Sequence, residues 1–375
     1  MRLALRLAVR GYGQTSPNPM VGAVLVKRGE VIGRGWHHRA GEPHAEIEAL
    51  QDAERHGHST RGATLYVTLE PCCTHGRTPP CTQAIIQAGL RCVVAAATDP
   101  NPAHAGRGYA ILRRAGIRVT TGLLEEEASR LNEAFNHWIV HRTPFVTVKA
   151  AMTLDGKIAT ARGESQWITG AKARAYGMKL RQGADAVLVG VNTVLADDPS
   201  LTARGQRAEG RGQRTEGRGQ DGKRLRRIVL DSLARTPLKA TVVSDAWAEL
   251  TTVFVTAKAP RRRVAALERR AKVVVAPAVR GRVDLRWVLK RLGTEGVTNL
   301  LVEGGGEVNA SFLLHGLAQR VAFFYAPKIL GGRTALKGVA GDGVRHLRDK
   351  KMLKEVEWKR LGTDLLLTAR LNEKI

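Results

Sequence analysis

Two short segments, residues 43–46 and 71–81, constrain the fold of this chain more than any other feature. In the first, the letters PHAE place His44 at the start of a helix, and in the second, Cys72 and Cys81 follow a strand. One imidazole and two thiolates form a tetrahedral zinc site whose fourth position stays open for water. Strand and helix signals alternate around both segments, which is typical of an α/β layer fold.

A carboxylate lies close to this candidate metal site in the sequence. Hydrolytic deamination needs an activated water and a group that takes its proton and delivers it to the leaving amine. Glu46, two residues from His44, is the candidate. Because residues two apart point in nearly opposite directions on a regular helix, both must lie at an irregular helix entry. The alternatives are a buried cysteine pair or a structural zinc with Cys73 or His75 as fourth ligand; the adjacent acid favours catalysis.

The composition indicates two domains and an anionic partner. A chain of 375 residues exceeds one comfortable hydrophobic core, and its 43% hydrophobic and 25% charged residues are ordinary for a globular protein. Three of the four cysteines lie between residues 72 and 81, which indicates metal binding or chemistry in a cytoplasmic protein, and no segment has the pattern of a membrane span. The formal net charge of +26 is scattered along the chain, which favours phosphate-bearing small molecules, or an arginine-rich proteome, over a nucleic-acid groove.

The order of elements predicts a boundary at Thr143-Pro144. Before it we expect an opening helix, the hairpin VGAVLVKRG/EVIGRGWH joined through Gly29, helix 44–56, strand 63–71, helix 80–88, strand 91–100, helix 108–115, strand 117–122 and one bridging helix, 124–142. After it we expect strands 144–152, 184–190, 226–231, 250–256, 271–277, 298–304 and 320–327, with helices 172–181 and 285–292 and another from about residue 307. The tandem repeat GQRAEGR-GQRTEGR within residues 205–220 predicts a disordered surface loop, with nucleic-acid contact as the alternative.

Further motifs extend from the first helix to the final strand: TSPNPMVGAVLV, GEPHAEIEAL, TLEPCCTHGRTPPC, TDPNP, MTLDGKIAT, GESQWIT, TVLADDPSLT and LVEGGGEVNAS. The insertion between Cys72 and Cys81 replaces the Pro-Cys-x-x-Cys of ordinary zinc nucleobase deaminases. With these motifs the chain resembles the bifunctional riboflavin-biosynthesis enzymes that join a diaminohydroxyphosphoribosylaminopyrimidine deaminase to a 5-amino-6-(5-phosphoribosylamino)uracil reductase. The resemblance implies a cytidine-deaminase-like three-layer α/β/α domain at residues 1–143 and a dihydrofolate-reductase-like α/β domain at 144–375.

The resemblance also implies the chemistry. Zinc-dependent hydrolytic deamination of 2,5-diamino-6-(5-phosphoribosylamino)pyrimidin-4(3H)-one precedes NADPH-dependent reduction of the ribosyl side chain, which gives 5-amino-6-(5-phosphoribitylamino)uracil. The partner is then a phosphorylated pyrimidine, with no nucleic acid or membrane, and we expect a homo-oligomer. An RNA-binding or nucleic-acid-editing protein is the rival from another class, and a chain with one inactive domain is a second rival.

In the first domain, the resemblance implies that His44, Cys72 and Cys81 bind zinc and that Glu46 carries protons. It implies that the substrate contacts are Asn18, Arg77, Asp99 and Asn101, of which Arg77 meets the phosphate. Turn chemistry beside proline is the alternative for Asn18 and Asn101. The chain departs from the family pattern at Cys73-Thr74, where relatives usually carry Ser-His, and His75 is the candidate substitute for that histidine.

In the second domain, Gly304-Gly305-Gly306 follows a strand and precedes a helix, which suits either a phosphate site or a tight turn. The resemblance implies that NADPH is contacted by Ala151, Trp167, Thr193, Asp197, Gly305, Gly306, Glu307, Val308, Asn309, Ala310 and Ser311. The implied substrate contacts are Lys149, Ser165, Arg181, Leu201, Arg204 and Glu303. A solvated helix residue is the alternative for Arg181, and a core aromatic for Trp167.

Overall fold

The computed structural model describes residues 1–74, 79–203 and 224–371. The chain divides into two compact units, Met1–Arg142 and Thr143–Ile375. The predicted loop at residues 205–220 lies outside the described residues. No helix in the described part of the chain has both the length and the apolar composition that a membrane crossing requires.

The first unit is a three-layer α/β/α arrangement around a five-stranded sheet of order β2-β1-β3-β4-β5. Strands β1, β2 and β3 pair antiparallel, whereas β3, β4 and β5 run parallel. The strands are β1 Gly22–Lys27, β2 Glu30–Trp36, β3 Thr64–Leu69, β4 Cys92–Ala97 and β5 Arg118–Thr121. The helices are α1 Arg2–Ala8, α2 Ala45–Arg55, α3 Cys81–Gln87, α4 Arg107–Arg114, α5 Glu125–Leu131 and α6 Glu133–His141, with a 3₁₀ turn at Val9–Gly11.

Small residues bring α2 unusually close to the sheet. A Cβ atom at Gly33 would lie 2.3 Å from the carbonyl oxygen of Ala49, and one at Gly35 would lie 2.3 Å from that of Ala45. Apolar residues of α2, α3 and α4 then share one core with the sheet, while α1 and α5 cover its other face. This packing fixes the N-terminus of α2, where the PHAE motif lies.

The predicted bridging helix at 124–142 is wrong as a single helix, because it is broken between α5 and α6 at Asn132 (φ −109°, ψ 20°). The side chain of Asn132 is buried and serves the backbone of Met20: its Oδ1 accepts from the Met20 N–H at 2.7 Å, and its Nδ2 donates to the Met20 carbonyl at 2.9 Å. These two hydrogen bonds hold Asn132 against Met20 in its non-helical conformation.

The second unit contains a nine-stranded sheet of order β11-β10-β9-β8-β14-β6-β15-β18-β17, parallel from β11 to β15 and antiparallel at β18 and β17. The strands are β6 Phe145–Thr153, β7 Lys157–Ala159, β8 Ala186–Gly190, β9 Arg226–Leu230, β10 Thr251–Val255, β11 Lys272–Val275, β12 Ala278–Val279, β13 Arg282–Val283, β14 Asn299–Val302, β15 Arg320–Ala326, β16 Leu336–Lys337, β17 Leu353–Leu361 and β18 Asp364–Leu371. The helices are α7 Ala171–Gly183, α8 Val191–Asp197, α9 Thr241–Ser244, α10 Arg261–Glu268, α11 Leu285–Thr294 and α12 Gly306–Leu314, with 3₁₀ turns at Ala248–Leu250 and Leu347–Asp349.

Both faces of this sheet are covered, because apolar residues alternate between two cores. Helices α11 and α12 pack on one face, and α7, α8, α9 and α10 pack on the other. Strand β8 shows the alternation: Leu188 enters the first core, and Val187 and Val189 enter the second. Of the parallel strands predicted from the sequence, those with continuous apolar runs, such as β8 and β14, lie inside the sheet, whereas the less buried β11 forms one edge.

Candidate functional site

The first unit brings His44, Cys72 and Cys81 together. His44 caps α2 with extended backbone (φ −75°, ψ 163°), Cys72 lies in the loop after β3, and Cys81 is the first residue of α3. The Nδ1 atom of His44 lies 3.4 Å from the Cys72 Sγ and 3.3 Å from the Cys81 Sγ. In the described part of the chain this is the only group of three such donors whose ligand atoms all lie within 4.8 Å of one another.

These distances fit a zinc ion. Bonds of about 2.3 Å to sulfur and 2.0 Å to nitrogen, arranged as a tetrahedron, separate neighbouring ligand atoms by roughly 3.5–3.8 Å. Cys73, the proposed alternative ligand, is half-buried and does not belong to the group, and His75 lies outside the described residues. The donor set of one imidazole and two thiols is the one expected for zinc with one open position.

The cysteines differ in their readiness to ionise. Hydrogen bonds from the Cys81 thiol and from His44 lower the pKa of Cys72 to about 4, and the Cys81 backbone N–H also donates to its Sγ at 3.3 Å. The pKa of Cys81 is raised because its own thiol is the donor to Cys72 and because it is buried. Cys72 is therefore the more readily ionised of the two, and a zinc ion there would hold both thiols deprotonated.

Glu46 lies next to the ligand group without being one of its members. The side chain is 3% exposed, and it is on the second residue of α2, whereas His44 precedes the helix. The irregular helix entry that the sequence argument required is therefore present. Burial, followed by the negative charge of Cys72, raises the pKa of Glu46 to about 7. A carboxyl group of this kind suits proton transfer near neutral pH.

His37 is a site residue that the sequence argument missed. It is 2% exposed, and its ring meets that of His44 edge-on, with 5.2 Å between centroids. Its Nδ1 lies 3.0 Å from the carbonyl oxygen of Pro43 and must donate to it, so Nε2 accepts from the Asn18 amide at 3.1 Å. Burial lowers the pKa of His37, which favours this neutral form. The only signal in the sequence was the pair His37-His38 after the first hairpin.

The segment after β4 contains two of the expected substrate contacts. The Asp99 Oδ1 accepts from the Asn101 N–H at 2.9 Å, and the Asn101 Oδ1 accepts from the Ala103 N–H at 3.1 Å. The Asn101 side chain thus supports the local turn, as the alternative interpretation of that residue held, and the Asp99 side chain supports the same turn. Burial raises the pKa of Asp99. Arg77 lies outside the described residues.

In the second unit, three charged residues meet beside the carboxyl end of β14. Arg181 donates from Nε and from a terminal nitrogen to the two oxygens of Glu303 at 2.8 and 2.9 Å, and Lys149 Nζ lies 3.7 Å from the same carboxylate. Burial opposes ionisation of Glu303, but Lys149 and Arg181 prevail and lower its pKa to about 2. Arg181 is therefore a half-buried partner of Glu303 and not a solvated helix residue.

Arginines hold the segment that precedes the undescribed region. Arg181 donates to the Thr202 carbonyl at 3.2 Å, and the fully buried Arg227 donates to the Ser200 carbonyl at 3.0 Å. Between these anchors, Leu201 adopts a left-handed conformation (φ 50°) with its side chain 2% exposed. Arg204, the next expected contact, lies outside the described residues.

A second group of expected residues lies around Trp167 and α8. The Ser165 hydroxyl donates to the Asp197 carboxylate at 2.9 Å. Trp167 is 65% exposed, with the Arg174 guanidinium 4.7 Å above its ring, so the core-aromatic interpretation of Trp167 is wrong. Ala151 lies on β6, and the Thr193 Oγ1 is the nearest neighbour, at 3.9 Å, of a Cβ atom built on Gly305.

The three glycines at the start of α12, Gly304, Gly305 and Gly306, have different surroundings. A Cβ at Gly304 would lie 2.5 Å from the Val308 Cβ, and one at Gly306 would lie 2.2 Å from the Lys337 carbonyl oxygen, so tight packing accounts for both. Gly305 is open, with only Thr193 near it. Its neighbourhood therefore leaves room for a ligand to approach the first turn of the nine-residue helix α12.

The rest of this run is divided between the interior and the surface. Asn309 and Ala310 are buried, the Asn309 Nδ2 donates to the Gly338 carbonyl at 2.8 Å, and Val308 packs against the core. Glu307 is exposed and Ser311 is half-buried, and the Ser311 hydroxyl donates to the Glu307 carbonyl at 2.8 Å. Gly305, Glu307 and Ser311 are thus more accessible to a cofactor than Asn309 and Ala310.

Comparison with known proteins gives matches over both units. Residues 1–97 match the model of the cytidine and deoxycytidylate deaminase zinc-binding region, and residues 144–367 match that of the RibD C-terminal domain. The chain is 42% identical to the riboflavin biosynthesis protein RibD of Actinobacillus pleuropneumoniae (98% of this chain, 93% of the relative) and 43% identical to that of Aquifex aeolicus (98% and 96%).

Solved structures agree. Acinetobacter baumannii RibD has a TM-score of 0.85 at 34% identity, with 99% of this chain and 97% of the other covered. A diaminohydroxyphosphoribosylaminopyrimidine deaminase/5-amino-6-(5-phosphoribosylamino)uracil reductase from Thermotoga maritima has a TM-score of 0.81 at 37% identity, with the same coverage.

Proposed function

The chain belongs to the family of the riboflavin biosynthesis protein RibD, a bifunctional deaminase and reductase, and from this premise we propose how its residues divide the two reactions. The resemblance inferred from the motifs and both predicted fold classes are confirmed. Residues 1–143 form the deaminase domain and residues 144–375 the reductase domain. Zinc serves the first, and NADPH serves the second.

The deaminase substrate is 2,5-diamino-6-(5-phosphoribosylamino)pyrimidin-4(3H)-one. His44, Cys72 and Cys81 would hold the zinc ion, which would act as a Lewis acid and make water nucleophilic at neutral pH. Glu46 takes the proton from the attacking water and hands it to the leaving amine, so that ammonia departs and an oxygen replaces it. The observation that supports this role best is the buried Glu46 carboxyl beside three ligand atoms that it does not join.

Four side chains orient this substrate. Asn18, fixed by His37, presents its amide oxygen, and Asp99 and Asn101 contact the pyrimidine or the ribose. Arg77, from the insertion between the two cysteines, contacts the phosphate by charge and by its fork of donors.

The reductase domain takes the deaminated product. NADPH supplies the hydride that converts the ribosyl side chain to ribityl. Six residues contact the substrate: Lys149, Ser165, Arg181, Leu201, Arg204 and Glu303. The half-buried Arg181–Glu303 pair holds the Glu303 carboxylate 3.7 Å from the Lys149 Nζ. The cofactor contacts are Ala151, Trp167, Thr193, Asp197 and the run from Gly305 to Ser311, of which exposed Trp167 and open Gly305 carry the strongest support.

We propose a homo-oligomer as well. Strand β17 is the outermost strand of its sheet, and Val356 and Trp358 on it are 47% and 59% exposed. An antiparallel second copy aligned at Trp358 would place Glu357 opposite Lys359, which satisfies both charges. Sedimentation of the native protein and of Trp358→Glu tests this, and a native monomer would contradict it.

A phosphorylated small molecule, and not nucleic acid, is the proposed anionic partner. A salt-dependent RNA-binding assay separates the two, because affinity for RNA falls steeply with salt. The clustered cysteines Cys72, Cys73 and Cys81 form no disulfide, which fits a reducing compartment, and we propose the cytoplasm.

The direct test of the function is incubation of the purified protein with the diaminopyrimidine phosphate, with and without NADPH. We expect ammonia release in both cases. In the reaction that contains NADPH, we also expect NADPH to be oxidised. Ammonia without NADPH oxidation would show that the reductase domain is inactive, and no ammonia would contradict the deaminase assignment.

A further inference from the structure

Glu70 is a buried carboxylate that the proposed reactions do not use. It is the first residue after β3, its side chain is 5% exposed, and Pro71 and Cys72 follow it directly. The backbone N–H of Glu70 continues the ladder by donating to the Ala97 carbonyl at 2.9 Å. A charged group buried in this way needs partners.

Four backbone N–H groups are those partners. The Glu70 Oε2 accepts from Asp99 at 3.2 Å and Gly106 at 2.9 Å, and Oε1 accepts from Gly108 at 2.9 Å and Tyr109 at 3.4 Å. Asp99 lies just after β4, whereas Gly106 caps α4 and Gly108 and Tyr109 lie in its first turn. Hydrogen bonds from N–H groups to a carboxylate are stronger than those between neutral groups, so this one side chain ties both ends together.

The packing of α4 shows that the arrangement is built closely. A Cβ at Gly108 would lie 2.4 Å from the Pro71 carbonyl oxygen and 3.1 Å from the Glu70 Oε1. The Tyr109 hydroxyl donates to the Ala97 carbonyl at 3.0 Å. Residues 98–106 are therefore held at both ends by contacts with Glu70 and Pro71, the two residues that precede Cys72.

We propose that Glu70 is a positioning residue of the deaminase, which holds residues 98–106 in place relative to the zinc-ligating loop. That segment contains Asp99 and Asn101. Hydrogen bonds link the Asp99 side chain to the Asn101 backbone and the Asn101 side chain to the Ala103 backbone, so fixing Asp99 also fixes the residues that follow it. The inference rests on the proposed function, because it takes Asp99 and Asn101 as substrate contacts. Glu70 itself touches neither substrate nor metal in this account.

Glu70→Gln in the full chain tests the inference. Glutamine keeps the size of the side chain, but its amide nitrogen is a donor and would face two of the N–H groups. We expect amide hydrogen exchange over residues 98–109 to accelerate at least about tenfold, while residues 45–55 exchange as before. Glu54→Gln, on the exposed face of α2, is the matched control and should leave amide exchange unchanged over both residues 98–109 and residues 45–55.

Kinetics separate positioning from simple loss of structure. In Glu70→Gln, the KM for the diaminopyrimidine phosphate should rise about tenfold or more, with kcat within about threefold, zinc content unchanged and the reductase unaffected. Glu70→Asp keeps the charge on a shorter side chain, so its KM should lie between those of the native protein and Glu70→Gln. If Glu70→Gln does not fold, Glu70→Asp replaces it in the test. In the double variant Glu70→Gln/Asp99→Asn, the KM should be little higher than in Asp99→Asn alone.

Exchange that stays at the native rate would overturn the inference, and so would faster exchange without a change in KM. Loss of zinc together with kcat would make Glu70 a support of the metal loop alone, which also contradicts it. If Asp99→Asn and Asn101→Ala themselves leave KM unchanged, the proposed substrate contacts fail. The exchange rates do not depend on those contacts, so the two failures are distinguishable.

Discussion

His44 and Glu46 can serve one site because only one of them belongs to the helix. His44 has extended backbone before α2, and Glu46 lies in its first turn. A regular helix would turn these side chains apart. The residue types of the site could be predicted because zinc and proton transfer demand particular donors. The His37–Asn18 contact could not, since it depends on how the turn before β1 meets the end of β2.

The ligand assignment gives a prediction for the cysteines. Cys72→Ser and Cys81→Ser should each weaken zinc binding at least about tenfold, because a hydroxyl is a poor substitute for a thiolate ligand. Cys73→Ser, as the neighbouring control, should retain zinc, because Cys73 is outside the ligand group. Metal content after dialysis against a weak chelator measures this. Equal zinc loss from all three variants would show that the ligand set is wrong.

At the scale of elements, close packing of α2 on β2 aligns the metal site. Alanines at positions 45, 49 and 53 of α2 face glycines of β2, and all three alanines are fully buried. We predict that Gly35→Ala lowers the free energy of unfolding of the first unit by about 1–3 kcal/mol, as overpacking does. It should also weaken zinc binding, because the added Cβ displaces the start of α2.

Chemical denaturation and metal titration check this prediction. Val31→Ala, at an exposed position of the same strand, is the control and should leave zinc affinity unchanged. Native zinc affinity in Gly35→Ala would contradict the link between helix packing and the metal site.

The buried Arg227 on β9 connects several elements of the second unit. Its guanidinium makes a bidentate pair with Asp245 at 2.8 Å and donates to Thr251, Val242 and Ser200. We predict that Arg227→Met lowers the free energy of unfolding by about 3–5 kcal/mol, since it removes the bidentate partner of the Asp245 carboxylate and the donor to the Val242 and Ser200 carbonyls. The double variant Arg227→Met/Asp245→Asn should recover a substantial part of the lost free energy of unfolding. A double variant as unstable as the single one would contradict this explanation.

Sequence patterns predicted the central elements well and the peripheral ones poorly. Parallel strands such as β8 and β14 have continuous apolar runs, so both were predicted. Strand β17 was missed because nearly every residue in it is exposed and charged residues interrupt its pattern. The break at Asn132 was also missed, because only the contact with Met20 explains it.

At the scale of the whole molecule, each unit has its own sheet and cores. We predict that a chain truncated after Arg142 still releases ammonia, and that one beginning at Thr143 reduces the deaminated intermediate without ammonia release. The second fragment should prefer NADPH to NADH, because basic groups can hold the additional phosphate. A folded second fragment that binds no NADPH would contradict the reductase assignment.

The sequence repeat gives another prediction at this scale. Deletion of residues 205–220 should leave both activities and the melting temperature nearly unchanged, because so polar a segment buries little apolar surface. Steady-state assays and calorimetry measure this. Selective loss of reductase activity would show that the repeat positions Arg204 or covers the substrate.

The central claim is that one chain performs two consecutive reactions at separate sites, and Glu46→Gln tests it most directly. The variant should bind zinc normally and release no ammonia from the diaminopyrimidine phosphate, because it lacks the proton carrier. It should oxidise NADPH at the native rate when it is given the deaminated intermediate, and not when it is given the diaminopyrimidine. Ammonia release near the native rate, or failure to reduce the supplied intermediate by a zinc-loaded, folded variant, would contradict the account.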